Sequence, residues 1–242
     1  MPKSIVILQP QYFPWVGVFE QIRLADIYVH YDDVQYSRSG YMNRVQVKTP
    51  QGVEWMSVPV LHSGFPLIKN TPIKYDAPWV HKHLEQLRHH YFKAPYYNEM
   101  MDLVRPILEK QWDSICELNM AALESISGYF GFKTRFERSS TLGIASSSTQ
   151  RVVAICRHYD ATHYITGHGA KNYIDYDQFE NAGISLEYME YQKRPYPQFH
   201  GDFTPYVSIL DLIAHCGKDG AEYIVSSSRY WRDVLAETPG KS

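Results

Sequence analysis

Ser4-Ile5-Val6-Ile7-Leu8 is a short apolar run, mostly β-branched, stopped by Gln9-Pro10, and that stop constrains the rest of the chain. Proline at position 10 disfavours helical backbone at Gln9, so the run reads as a buried strand rather than the start of a helix. Val18 to Ala25 then reads as a helix, with Phe19, Ile22 and Leu24 apolar and Gly17 at its mouth. Ile27-Tyr28-Val29-His30-Tyr31 follows as a second strand that ends at Asp32-Asp33. Strand, helix, strand within 4–36 is a β-α-β opening, the building block of a parallel sheet.

The pattern then changes period. Val45, Val47, Val53 and Trp55 alternate around Gln51-Gly52, which predicts a hairpin over 44–60. A helical segment, 78–131, comes next. Val80, Leu84, Leu87 and Tyr91 form one face of a helix from Pro78 to Phe92, and Met100 to Lys110 gives another, kinked at Pro106. Ser114 with Glu117 is an N-terminal capping signal for a helix that runs to Phe130 and stops at Gly131. Over 149–216 the strand and helix signals return: a helix at Thr149 to Tyr159, a strand at Thr162 to Thr166, a helix at Tyr176 to Ala182 and a strand at Ser185 to Met189. A helix from Tyr206 to Cys216, apolar almost all round, completes this half. The expectation is an α/β fold within one domain, 1–242: a mostly parallel, Rossmann-like sheet flanked by helices, with an inserted β-hairpin and a helical segment, and 217–242 as a tail.

Charge narrows the function classes. With 24 basic and 26 acidic residues the net charge is -2, and the basic residues are dispersed, so neither nucleic acid nor an anionic membrane is an expected partner. The 3 cysteines, Cys116, Cys156 and Cys216, are far apart and odd in number, which excludes a disulfide framework and fits a reduced, cytoplasmic setting. No metal site is read: His81, Glu85 and His89 share a helix face, but one open to solvent. The 20 tyrosines stand out, because phenols are apolar in body and hydrogen-bonding at the tip. They suit sugars, nucleotides and contacts within a homo-oligomer alike.

In open α/β sheets ligands collect beyond the C-terminal strand ends, and three such segments are rich in chemistry. The first, Gln9 to Gly17, offers Gln9, Tyr12 and Trp15 on a proline-fixed turn, with Gly17 opening a helix whose N–H groups favour an anion. The second holds Asp32 and Asp33, one of which could serve as hydroxyl acceptor, metal ligand or general base, followed by Gln35, Asn43 and Arg44; its plainer reading is turn chemistry with an Asp–Arg pair. The third, Thr166-Gly167-His168-Gly169-Ala170-Lys171-Asn172-Tyr173, gives close backbone approach at Gly167 and Gly169, a cation at Lys171 and a ring at Tyr173. Its spacing is neither a P-loop nor a dinucleotide fingerprint. Tyr196 and Gln198 repeat the proline, tyrosine and glutamine chemistry. Asp211 and His215, one helical turn apart, are either a carboxylate-oriented general base or a satisfied core pair. A single site would gather Tyr12, Asp33, Asn43, Lys171 and Asp211 around one space.

The run Leu8 to Gly17, Ala25-Asp26, Asp32 to Tyr36, Asn43-Arg44, Thr166 to Tyr173, Tyr196-Pro197-Gln198 and Ser208 to Leu212 together resemble the WbqC-like protein family over nearly the whole chain. That resemblance implies a bacterial protein of the surface-polysaccharide (O-antigen, lipopolysaccharide) setting, where modified amino sugars receive acyl or aminoacyl groups. The opening is also similar to the superfamily of nucleotidyltransferases and class I tRNA synthetases, but Trp15 and Val18 stand where its histidine motif is expected. The expected function is therefore acyl or aminoacyl transfer to a sugar nucleotide or amino sugar, with a small-molecule substrate and an activated donor. No cofactor is assigned by the sequence. Two other classes remain open: an ATP-dependent amide-forming ligase with a degenerate adenylate site, and a non-catalytic nucleotide-sugar-binding module.

Overall fold

The computed structural model describes residues 3–61 and 64–237. The strands are β1 (Ser4–Leu8), β2 (Ile27–His30), β3 (Arg44–Thr49), β4 (Gly52–Ser57), β5 (Arg135–Arg138), β6 (His163–Thr166), β7 (Ser185–Glu190) and β8 (Ser227–Tyr230). The helices are α1 (Val16–Leu24), α2 (Trp79–Tyr91), α3 (Tyr97–Glu109), α4 (Ile115–Tyr129), α5 (Ser148–His158), α6 (Tyr176–Ala182), α7 (Ile209–Cys216) and α8 (Trp231–Ala236).

Six strands form one sheet in the order β5-β2-β1-β6-β7-β8, parallel except for β8, which runs antiparallel to β7. Strand alternation divides the core into two layers. Val6, Tyr28, Ile165 and Met189 face α1, α2, α3, α4 and α7. Ile5, Ile7, Ile27, Val29 and Leu186 face α5, α6 and α8 on the other side. The mostly parallel α/β sheet flanked by helices is therefore as expected, and β3 and β4 form the separate antiparallel hairpin.

Ser114 caps α4, its hydroxyl accepting the Glu117 N–H at 3.3 Å, and α3 continues through Pro106. The last buried helix starts later than the hydrophobic run suggests. Ser208 is its cap, accepting the Leu210 N–H at 3.3 Å, while its own N–H donates to the Gln46 carbonyl. One expectation needs correction. The described part of 217–242 is no tail, because it supplies a 3-10 turn (Gly217–Tyr223), the sixth strand β8 and α8. All 3 cysteines are buried and unpaired, and burial pushes the thiols of Cys116, Cys156 and Cys216 up to about 12, 12 and 11.

Candidate active site

The strand order makes β1 and β6 neighbours from which the chain departs in opposite directions: towards β2 after β1, towards β7 after β6. Such a reversal leaves a crevice beyond the C-terminal strand ends. A cleft of about 610 Å³ opens there, bounded by Leu8 at the end of β1 and by Thr166, Gly167 and His168 at the end of β6. Its volume suits one small-molecule ligand.

Trp15 is the N-cap residue of α1, and its indole folds over the first turn of that helix, against Gly17. Tyr191 and Tyr206 meet the indole at ring-centroid distances of 5.0 and 5.2 Å. Gln21 donates to the Tyr191 hydroxyl at 2.6 Å, and burial pushes that phenol up to about 12, so it stays protonated near neutral pH. A Cβ at Gly167 would lie 3.1 Å from the same hydroxyl; glycine lets β6 end this close to Tyr191. His168 stacks on Tyr188 at 5.8 Å with 9° between the planes and has the Met189 backbone as a hydrogen-bond partner. Burial, then the Lys171 ammonium, lowers its pKa, leaving a neutral imidazole at the cleft wall. Lys193 also lines the cleft, with its ammonium 4.9 Å from the Tyr206 ring. Tyr41, Tyr173 and Tyr206 stand exposed among the lining residues.

Of the residues singled out in the sequence, Trp15, Gly167, Gly169 and Tyr173 line this cleft, and Gly17 lies beneath Trp15. Lys171 is adjacent, with its ammonium 5.3 Å from the Tyr188 ring. Gln9 is half-buried between β1 and the turn.

The others belong elsewhere, so the expectation of one common space is corrected. Tyr12 is fully buried and its hydroxyl bonds His83 Nδ1 at 2.9 Å, fastening the turn to α2. Asp32 accepts from the Ser139 hydroxyl (3.0 Å) and from the Ser140 N–H (2.9 Å) and hydroxyl (2.7 Å). Asp33 accepts from Ser139 and pairs with Arg151, not Arg44; although burial opposes it, these bonds hold the Asp33 carboxyl below its ordinary value. Asn43 donates to the Val58 carbonyl at 2.8 Å within the hairpin region, and Arg44 lies over Trp55. Gln35 is exposed on a separate concavity with Arg38 and Phe65.

Asp211 and His215 form a third, buried cluster with Tyr196. His215 Nε2 accepts the Phe199 N–H at 3.1 Å, so Nδ1 carries the proton and donates to the Asp211 carbonyl at 2.8 Å. Both ring nitrogens are thus engaged. Nearby, the buried Lys48 ammonium donates to Gln198 Oε1 (3.1 Å) and to the carbonyls of Gly201 (3.2 Å) and Asp202. These contacts pin the loop between β7 and α7, the loop that brings Lys193 and Tyr206 to the cleft.

Sequence reasoning did not single out Gln21, Tyr41, Tyr191, Lys193 and Tyr206. They converge from α1, the loop before β3 and the loop after β7, and no local spacing links them. His168 was visible within its two-glycine loop but had no assigned role.

The sequence matches the profile of the WbqC-like protein family over residues 9–223. It is 34% identical over 226 residues to Rv1507c of Mycobacterium tuberculosis (strain ATCC 25618 / H37Rv), itself described as uncharacterised, covering 92% of this chain and 97% of that protein. No solved structure matches the chain. Among the described residues, no helix is long and apolar enough to cross a membrane.

Proposed function

The chain belongs to the WbqC-like protein family, and on that footing we propose that it transfers an acyl or aminoacyl group to the amine of a nucleotide-linked amino sugar in surface-polysaccharide biosynthesis. The observation that carries this reading is the cleft at the β1/β6 switch, walled by Trp15, Tyr191 and Tyr206 and furnished with Gln11, Gln21 and Lys193. Aromatic faces stack on sugar and base, the amide side chains and the Tyr191 hydroxyl supply hydrogen bonds, and Lys193 offers a cation to phosphate. His168 is the proton acceptor. Its neutral imidazole takes the amine proton as the nitrogen attacks the donor carbonyl. Asp32, Asp33 and His215 serve the architecture in this reading, since their polar atoms are already taken by Ser139, Ser140, Arg151 and Phe199.

Incubation of the purified protein with UDP-, GDP- and dTDP-linked amino sugars and a panel of acyl and aminoacyl donors, read by mass spectrometry, tests the proposal. The expected result is a sugar-nucleotide product heavier by one acyl group, formed by wild type and lost in His168→Ala. Binding without any mass gain across the panel favours the non-catalytic module instead. Pyrophosphate release that needs both ATP and an amino acid favours the ligase.

A further inference from the structure

A transfer reaction needs two substrates, and the volume of the switch-point cleft suits one. The second must enter over the rim, and one side of the rim is built as a platform. Tyr41 lines the cleft yet is 56% exposed. Its backbone is fixed: the Tyr41 carbonyl accepts the Tyr12 N–H at 3.0 Å. The neighbouring Met42 is buried, and its carbonyl accepts from Asn119 Nδ2 at 2.6 Å. Asn119 also donates to the Pro10 carbonyl at 3.1 Å, so this loop and the β1–α1 turn are one rigid piece.

From Tyr41 the aromatic surface continues to Trp55 of β4, 6.1 Å away between ring centroids and 44% exposed. The Arg44 guanidinium lies over the indole at 4.5 Å. Its Nε and one amino nitrogen donate to the carbonyls of Gly40 (3.3 Å) and Ser39 (2.9 Å), and the other amino group has no hydrogen bond among the described residues. Hairpin register sets Arg44, Gln46 and Lys48 opposite Ser57, Trp55 and Val53 on this face. Glu54 turns to the opposite face, towards Gln86 and His90. The Lys48 ammonium on this face is buried and already taken by Gln198, Gly201 and Asp202, so the charge offered beside Trp55 is the Arg44 guanidinium.

Exposed rings on fixed backbone beside a guanidinium suit a planar base with an anionic group at its edge. We propose that this hairpin face is the donor subsite and that its ligand is the adenosine 3′-phosphate end of a coenzyme A thioester. The adenine stacks on Trp55, the phosphate meets Arg44, and the pantetheine arm runs past Tyr41 into the cleft. The assignment rests on the reading that the cleft holds the amino sugar. In the transfer, the sugar nitrogen attacks the thioester carbonyl, the C–N bond forms and the C–S bond breaks. The amine proton passes to His168 and then to the departing thiolate, leaving an amide and free coenzyme A thiol.

Calorimetric titration of the full chain with coenzyme A, and separately with the panel of nucleotide-linked amino sugars, tests this. Coenzyme A binds wild type, at least tenfold more weakly Trp55→Ala and Arg44→Ala, and within threefold of wild type Trp55→Phe, which keeps an aromatic face. A circular dichroism spectrum matching wild type establishes that each variant is folded. Binding of an amino-sugar nucleotide without coenzyme A binding overturns the donor subsite and leaves the cleft reading standing. Coenzyme A affinity equal in wild type and both alanine variants overturns it too. Binding of coenzyme A but of no nucleotide-linked amino sugar overturns the cleft reading instead.

Discussion

The indole of Trp15 occupies the space that a side chain at position 17 would fill: a Cβ on Gly17 would lie 2.3 Å from the ring. Glycine at this point of α1 is therefore what allows the indole to lie over the helix start and form a cleft wall with Tyr191 and Tyr206. Gly17→Ala must displace the ring. Alanine favours the helix by up to about 1 kcal/mol over glycine, which offsets lost ring packing, so the urea midpoint is expected to change little. Affinity for the nucleotide-linked amino sugar is expected to fall at least tenfold by calorimetry. Unaltered affinity would remove Trp15 from the site.

His83 ties the Tyr12 turn to the hairpin, accepting at Nδ1 from the Tyr12 hydroxyl (2.9 Å) and donating from Nε2 to the Ser57 carbonyl (3.2 Å). Burial pulls its pKa down to about 4, below the ordinary 6.5. The unfolded chain takes up this proton first, so the stabilisation is complete above pH 6.5 and is lost as pH falls towards 4. The loss is on the order of 3 kcal/mol. Urea unfolding of wild type and His83→Gln from pH 7 to 4 should show the wild-type curve falling more steeply. Parallel curves would contradict the assignment.

Asp32 is buried and accepts three hydrogen bonds from Ser139 and Ser140, which tie the end of β2 to the turn after β5. Asp32→Ala leaves the Ser140 N–H and hydroxyl without their acceptor, while the Ser139 hydroxyl keeps Asp33, and is expected to cost about 2–4 kcal/mol in urea unfolding. Ligand affinity of the folded variant should stay within threefold of wild type. A catalytic Asp32 would give the reverse: small stability loss and lost turnover.

The elements between which the cleft opens were legible in the sequence because their signals are local. The β-branched run before Gln9-Pro10, the two-glycine loop after Thr166 and the Ser114 cap each appear within a few residues. β5 and β8 were missed because edge strands such as Arg-Phe-Glu-Arg and Ser-Ser-Arg-Tyr are polar and show no buried alternation. The Asp211–His215 spacing placed the pair correctly on one helix face. Only the structure shows that the Phe199 N–H occupies the imidazole nitrogen a base would need. Tyr191 and Tyr206 could not be assigned because one of several tyrosines becomes a cleft wall only through long-range packing on Trp15.

In the proposed role of base His168 must be neutral, so the rate should rise with pH along a limb below 6.5, the ordinary histidine value. Besides burial, the Lys171 charge holds that pKa down. Lys171→Ala should therefore move the limb to higher pH. His168→Ala should lower kcat by about 10²–10⁴-fold while leaving sugar-nucleotide binding measurable. A pH–rate profile unmoved by Lys171→Ala would contradict the assignment of His168 as base.

Whether the ligand sits in the β1/β6 cleft can be read from amide hydrogen exchange with and without a nucleotide-linked amino sugar. Added protection is expected only in residues 11–18, 166–173 and 191–206, the segments that bring Trp15, His168, Tyr191 and Tyr206 together. Protection centred instead on 35–38 and 64–66, the concavity around Arg38 and Phe65, would contradict it.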